Sequence, residues 1–368
     1  MKLSKNEKGL GTRENRRFSV SQKSLISEKS KVFQKIAILT PTFSHFSGID
    51  RVVEQQAEEY SKKGHKVTVF TLESTIQPKG FEVEVLGMPK HLIAQRLYRL
   101  FFFLDFGKIK QTSEKLRYYD IVISHFYPMN LIASKARKKF NIQYIYHNHG
   151  IGHNHLFRSQ LEIFYMKLFS FFNKLSLKNV DSAISISKFL KQELKKETGL
   201  NSKVVYNKIN KRFRKGINGN RIRKKLNIKS KDKVLFFIGR LSPHKNVHIL
   251  LNIFRLVNRE IPNAKLIIAG KPTFKDYYKH LKDIANKNVI FTGFIEDKDL
   301  PYYYAACNLY VTASLWEGFN LPAAEAQACG KKVVAFNIGS HPEIVKNGIL
   351  IEKGNTQDFA DAVIKLLR

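Results

Sequence analysis

"FQKIAILTPTFSHFSGIDRVVEQQAEEYSKKGHKVTVFT", residues 33–71, is the stretch that decides the fold class. It opens on a short apolar run, Ile36 to Leu39, and crosses a loop rich in Ser and Gly. Val52, Val53, Ala57 and Tyr60 then recur at helical spacing up to Gly64, and a second β-rich run, "HKVTVFT" (65–71), follows. Strand, helix of roughly 15 residues and strand in that order form a βαβ unit, whose crossover makes the two strands parallel. "YDIVISHF" (119–126), "IQYIYHNHG" (142–150) and "VDSAISIS" (180–187) continue the alternation, the last running into the helical "KFLKQELKKETG".

Residues 207–232 are basic, polar and punctuated by Gly and Asn, which reads as a linker region. The alternation then restarts with the strand "KVLFFIG" (233–239). A helix over 246–257 follows, with Val247, Leu250, Leu251, Phe254 and Val257 on one face. Further strands are expected at 264–270, 288–293, 308–314 and 331–337. The sequence therefore predicts α/β architecture in two successive doubly wound parallel-sheet domains, 32–206 and 233–368. Residues 1–31, which lack periodicity, read as a disordered basic tail.

The 368 residues suit two domains of ordinary size. Two cysteines, Cys307 and Cys329, are too few for a disulfide framework or a zinc site and point to a reducing compartment. Residues 1–31 contain no apolar signal-type core, and no run approaches the ~20 apolar residues of a spanning helix. A cytoplasmic location is expected. Lys and Arg number 64 against 30 Asp and Glu, a net charge of +34, so the surface seeks polyanions: nucleic acid, an anionic membrane face or a phosphorylated ligand.

Ligands of parallel sheets bind at the carboxyl ends of the strands. Just after strand 233–239 stand Arg240 and Lys245, a fork-shaped and a point cation suited to a diphosphate, although any such pair in so basic a chain also reads as ordinary surface. After strand 308–314 comes "LWEGFNLPAAEA". Pro322 fits a first helical turn, which leaves Gly318 to Leu321 as an entry loop whose N–H groups can face an anion. Glu317 lies just outside that helix and Glu325 one turn inside. A carboxylate can accept both hydrogen bonds of a sugar diol, and it can equally complement the helix dipole.

"GRLSPHKN" (239–246) and "EGFNLPAAEA" (317–326) resemble the motifs of the GT-B glycosyltransferases of family 4, the glycosyl transferases group 1. The likeness runs in order through "SGIDRVVEQQAEEYSKKGHKVTVFT", "YHNHG", "DSAISISKFLKQEL", "VVYNKINKRF", "VIFTGFIEDKDLPYYYAACNLYVTAS" and "AFNIGSHPEIV". It implies the GT-B arrangement, two Rossmann-like domains facing a cleft, and a retaining hexosyltransferase acting from a UDP- or GDP-linked sugar without cofactor or metal. By resemblance Arg240 and Lys245 neutralise the donor diphosphate, Glu325 binds the ribose and Glu317 the transferred sugar. Gly239, Gly318, Phe319, Asn320 and Leu321 line the donor. Gly48 lets the first domain approach the phosphates, Gly270 and Gly293 lie near the base, and His149 orients a sugar hydroxyl or stabilises charge.

The sequence departs from the family pattern at several places. Ser47 stands where a Gly pair with Gly48 is usual, Asn207-Lys208 replaces an Asn-Gly, and Asn320 replaces the second Gly of E-G-F-G-L-P. The family's final helix, which crosses back to the first domain, is expected beyond "FADAVIKLL" and is not included up to Arg368. "DKD" (297–299) reads as a helix cap rather than a metal motif. His147, His153 and His155 invite a metal reading that an irregular loop without cysteine disfavours.

The aromatic stretches 97–106 and 156–178 carry basic residues. Phe157, Leu161, Phe164, Leu168, Phe171 and Leu175 form a helical face expected to lie on the sheet. Phe102, Phe103, Phe169 and Phe172 then exceed one buried stripe, and with the lysines they suit an anionic membrane surface, the inner face by the expected location. The acceptor is accordingly expected to be a glycan or a lipid-linked glycan. A nucleotide-sugar epimerase on the same architecture is the alternative enzyme. A basic nucleic-acid-binding or scaffold protein is the non-catalytic one, disfavoured because no interleaved basic–aromatic motif is present.

Overall fold

The computed structural model describes residues 33–44, 47–78, 80–150 and 159–368; the basic tail read over 1–31 lies outside them. Two all-parallel sheets organise the chain. The first contains β1 (Lys35–Thr40), β2 (Lys66–Thr71), β3 (Glu82–Val85), β4 (Ile121–Ser124), β5 (Gln143–Asn148), β6 (Ser182–Ser185) and β7 (Lys203–Val204), in spatial order β3-β2-β1-β4-β5-β6-β7. The second contains β8 (Lys233–Ile238), β9 (Ala264–Ala269), β10 (Val289–Gly293), β11 (Leu309–Thr312), β12 (Lys332–Phe336) and β13 (Gly348–Ile351), in order β10-β9-β8-β11-β12-β13. Each order reverses beside its first strand, between β1 and β4 and between β8 and β11. That reversal opens a crevice at the strands' carboxyl ends.

The central strands are continuous apolar runs because helices cover both faces; every residue of β1 after Lys35 is buried. The crossover predicted from the opening stretch is α1 (Gly48–Lys62), which buries Val53 and Ala57. In the second half, α8 (Val247–Glu260) buries Val247, Leu250, Leu251, Phe254 and Val257, the face read from the sequence. It shares a core with Phe359, Val363 and Leu367 of α13 (Thr356–Leu367). Within the expected linker, α7 (Asn220–Lys225) lies against α10 (Leu300–Ala306), so closely that a Cβ on Gly219 would meet the Ala306 nitrogen at 2.3 Å.

One helix turns a different face from the expected one. In α5 (Gln160–Ser176), Leu161 is 81% exposed and Phe164 60%, and Phe171 and Leu175 are exposed as well, whereas Phe169 and Phe102 are buried; Phe157 lies outside the described residues. The helix docks through Phe169, Asn173 and Ser176, spaced i, i+4, i+7. Phe169 packs with Tyr127 and Leu100, and the Asn173 side-chain Oδ1 accepts a hydrogen bond from Asn130 Nδ2 at 3.1 Å in α4 (Met129–Lys139). The docking face combines aromatic Phe169 with polar Asn173 and Ser176, so counting apolar residues picks a different one. The surplus hydrophobic surface is the 161/164/171/175 stripe. Leu92, Ile93 and Leu97 of α2 (Leu92–Leu100), which packs beside α5, are exposed as well. Among the described residues no helix is long and apolar enough to cross a membrane.

Candidate active site

The residues expected to meet the donor gather where β8 and β11 end. Beyond β8, Gly239 and Arg240 lead into a single turn, Pro243–Lys245, and Asn246 in the left-handed region starts α8. This turn aims Lys245 at the loop after β11, where its Nζ donates to Glu317 Oε1 at 2.6 Å. Glu317 is buried. Burial alone would raise its pKa, but the Lys245 charge and hydrogen bond, together with His341 and the Ser314 hydroxyl, outweigh that and hold it below the usual carboxylate range. Arg240 opens to solvent on the cleft wall with protein massed around it. That mass lowers its pKa, while Glu317 and Asp50 oppose the effect. His244, between the two cations, is pushed down to about 3 by burial and by Lys245 and Arg240, so it is neutral.

Helix α11 (Leu321–Ala328) begins at Asn320, whose φ of 64° is a conformation that Gly adopts freely and Asn tolerates. Its side-chain oxygen accepts from the Ala323 N–H at 3.2 Å, and its Nδ2 donates to His341 Nε2 at 2.8 Å. His341 Nδ1 in turn donates to the Phe336 carbonyl at 2.6 Å. The family's glycine is thus replaced by an asparagine that caps the helix and ties it to the next loop. One turn on, Glu325 does not serve the helix dipole. Its Oε2 accepts from the Tyr304 hydroxyl at 2.9 Å, and its Oε1 pairs with the Arg51 guanidinium at 2.9 Å. Burial pushes the Glu325 carboxyl upward, and Arg51 and Tyr304 pull against it.

Arg51 is a site residue that the sequence reading missed. It stands on α1 of the first half and reaches the second, also approaching Asp297 at 3.8 Å. Asp50 beside it is buried and raised to about 6 by desolvation, although the Ser44 hydroxyl donates to it at 2.9 Å. The halves also approach closely at two glycines. A Cβ on Gly48 would lie 3.2 Å from Leu321, and one on Gly318 would lie 3.0 Å from the His149 carbonyl oxygen. Phe319 packs with Ile186, Leu190 and Ile344, and Leu321 borders the same cluster. Glu343 accepts from the N–H groups of Lys188 and Phe189 at the start of α6 (Lys188–Thr198), at 2.8 and 2.9 Å.

Gly239, Gly270 and Gly293 form a row at the ends of β8, β9 and β10. The Gly270 N–H donates to the Gly293 carbonyl at 2.7 Å, and a Cβ on Gly270, whose φ is 129°, would fall 1.8 Å from the Gly239 oxygen. Only glycine fits there. The "DKD" acids do not act as read. Asp299 occupies the cap position of α10 without a side-chain cap bond and pairs with Arg221, while Asp297 pairs with Arg212 at 2.7 Å.

His149 has company. His125, just past β4, brings its Nδ1 to 2.9 Å from His149 Nε2, and His125 Nε2 contacts Gln56 Oε1 at 2.9 Å. His147 lies against both, with ring centroids 4.7 Å from each. Desolvation lowers the pKa of all three, to about 4 for His147. The sequence grouped His147 with His153 and His155, which lie outside the described residues. The available signal was "SHF" and "YHNHG" on neighbouring parallel strands.

The family model described as "Glycosyltransferase Family 4" matches residues 46–212, and the one described as "Glycosyl transferases group 1" matches 218–368. The chain belongs to the group 1, family 4-like glycosyltransferases. As such it is similar to the Bacillus subtilis (strain 168) protein named "Putative glycosyltransferase YtcC", 29% identical over 337 residues, 83% of this chain and 75% of that one. The "O-antigen chain mannosyltransferase B" of Escherichia coli is 35% identical over 132 residues, 35% of each chain. Among solved structures, Anabaena Alr3699/HepE in complex with UDP and glucose shares the fold, with a TM-score of 0.71 at 23% identity over 90% of this chain and 89% of that one. This glycosyltransferase therefore has the two-sheet GT-B architecture expected from its sequence.

Proposed function

We propose that the chain is a retaining hexosyltransferase that moves a sugar from a UDP- or GDP-linked donor to a glycan or lipid-linked acceptor. The observation that carries this reading is the joint position of Arg240, Lys245, Glu317 and Glu325 at the carboxyl ends of one sheet, facing α1 and His149 of the other. In the proposal, Lys245 exchanges part of its contact with Glu317 for the donor diphosphate. With Arg240 it then stabilises the charge that develops on the leaving group. Glu317, kept ionised, is free to accept hydrogen bonds from the transferred sugar. Glu325 has spent one oxygen on Arg51 and the other on Tyr304, and each oxygen retains a lone pair for the ribose diol. Gly239, Gly270 and Gly293 let backbone approach the base, and Gly318 to Leu321 offer N–H groups to the donor. His149 orients an acceptor or sugar hydroxyl. Transfer on this scheme uses no resident cofactor and no metal at the diphosphate.

The exposed apolar stripe of α2 and α5, on a chain of net charge +34, supports peripheral binding to an anionic membrane, with the cytoplasmic inner face as the proposed side. The test is incubation with UDP- and GDP-sugars and a lipid-linked glycan. Expected are nucleoside diphosphate release and a product whose new bond keeps the donor's anomeric configuration by NMR. An isomerised donor without transfer, or an inverted product, would overturn the reading.

A further inference from the structure

The three histidines meet for a reason of register. β4 and β5 pair in parallel with Ser124 opposite Tyr146, so His125 falls beside His147. Alternation along an extended chain then turns His149 to the same side as His147. One nitrogen from each ring lies within 4.8 Å of the other two. His147 has both ring nitrogens buried and without a hydrogen-bond partner among the described residues. A buried polar atom left unpaired is costly, so this imidazole is a donor group suited to a ligand that the described residues do not supply.

We infer that His125, His147 and His149 form a binding site for a divalent transition-metal ion of the zinc class. Tetrahedral coordination with bonds of ~2.0–2.1 Å sets ligand nitrogens about 3.4 Å apart. The His125–His149 pair opens by a few tenths of an ångström to reach that spacing, and His147 swings in by up to about 1.4 Å. Gln56 supplies the outer contact such ligands require. Its amide nitrogen turns to the Tyr60 hydroxyl, so its oxygen accepts from His125 Nε2–H and leaves the Nδ1 lone pair facing the cluster. Imidazoles without carboxylates select zinc, copper or nickel over magnesium or calcium.

A metal here would take His149 Nε2 and withdraw that ring from the sugar. That consequence rests on the proposed role of His149; the binding does not. The experiment adds Co2+ to chelator-treated, full-length protein, records its visible d–d spectrum, and back-titrates with Zn2+. Expected are one ion per chain in tetrahedral coordination, displaced by Zn2+, lost in His147→Ala, and bound about 10–100-fold more weakly in Gln56→Leu. Should His147→Ala not fold, His125→Asn and Gln56→Leu carry the test. No tetrahedral band in folded wild-type protein, or an unchanged band in the ligand variants, overturns the site. Nucleotide binding measured on the same samples separates this failure from failure of the transferase reading.

Discussion

Arg51→Met removes a guanidinium and leaves a buried carboxylate facing an apolar side chain. Glu325 has a side-chain exposure of 4%, and of its two strong partners only the Tyr304 hydroxyl, at 2.9 Å, would remain. Breaking a buried ion pair from one side costs ~3–5 kcal/mol, and the surviving tyrosine bond puts this case near the lower end. The sign of the pH dependence follows from burial. Desolvation already raises Glu325, and without Arg51 it raises it further, so the carboxyl is charged in the unfolded chain at a pH where the folded chain resists charging it. The penalty is therefore full at neutral pH and shrinks as pH falls and the folded carboxyl protonates. Urea unfolding of wild type, Arg51→Met, Glu325→Gln and the double variant at pH 7 and pH 5 measures this. Glu325→Gln should restore most of the loss in the Arg51→Met background. A loss below about 1 kcal/mol at pH 7, or no recovery in the double variant, would refute the pairing argument.

Asp50→Asn should stabilise the protein above about pH 6 by up to roughly 3 kcal/mol and leave it unchanged below about pH 4. A folded pKa raised to about 6 makes the wild-type carboxyl lose stability as pH rises toward 6; thermal unfolding across that range is the readout. Asn320→Gly should cost about 1–2 kcal/mol, mostly from orphaning the buried His341 nitrogen, and Asn320→Ala more, because alanine also resists the positive φ. Leu161→Glu with Phe164→Glu should abolish flotation with anionic vesicles while changing stability by less than about 0.5 kcal/mol. Phe169→Ala, in the buried seam, should cost about 3–5 kcal/mol by denaturant titration.

The interior of the fold was legible because buried parallel strands and amphipathic helices carry strong periodicities. Every central strand, and the five-residue face of α8, could be read from the sequence. The strands left unread, β3, β7 and β13, are edges, two to four residues long and partly exposed, too short for their periodicity to stand out. The α5 face was misread because two of its three buried docking residues, Asn173 and Ser176, are polar and carry no apolar signal. The pairs Lys245–Glu317 and Asn320–His341 involve motif residues, so at least one partner of each was visible. Arg51 was not, since its partner Glu325 lies far away in sequence and nothing local distinguishes it from other surface cations. The histidine cluster needed the register of β4 against β5, which no single-strand pattern contains.

Calorimetric titration of UDP, GDP and ADP into wild-type protein and into the Arg240→Ala, Lys245→Ala double variant tests the central claim most directly. The account predicts selective binding of one diphosphate, weakened about 100-fold or more in the double variant, since two charge-assisted contacts at ~1.5–3 kcal/mol each are removed. No binding by folded wild-type protein, or equal binding by the double variant, would contradict it.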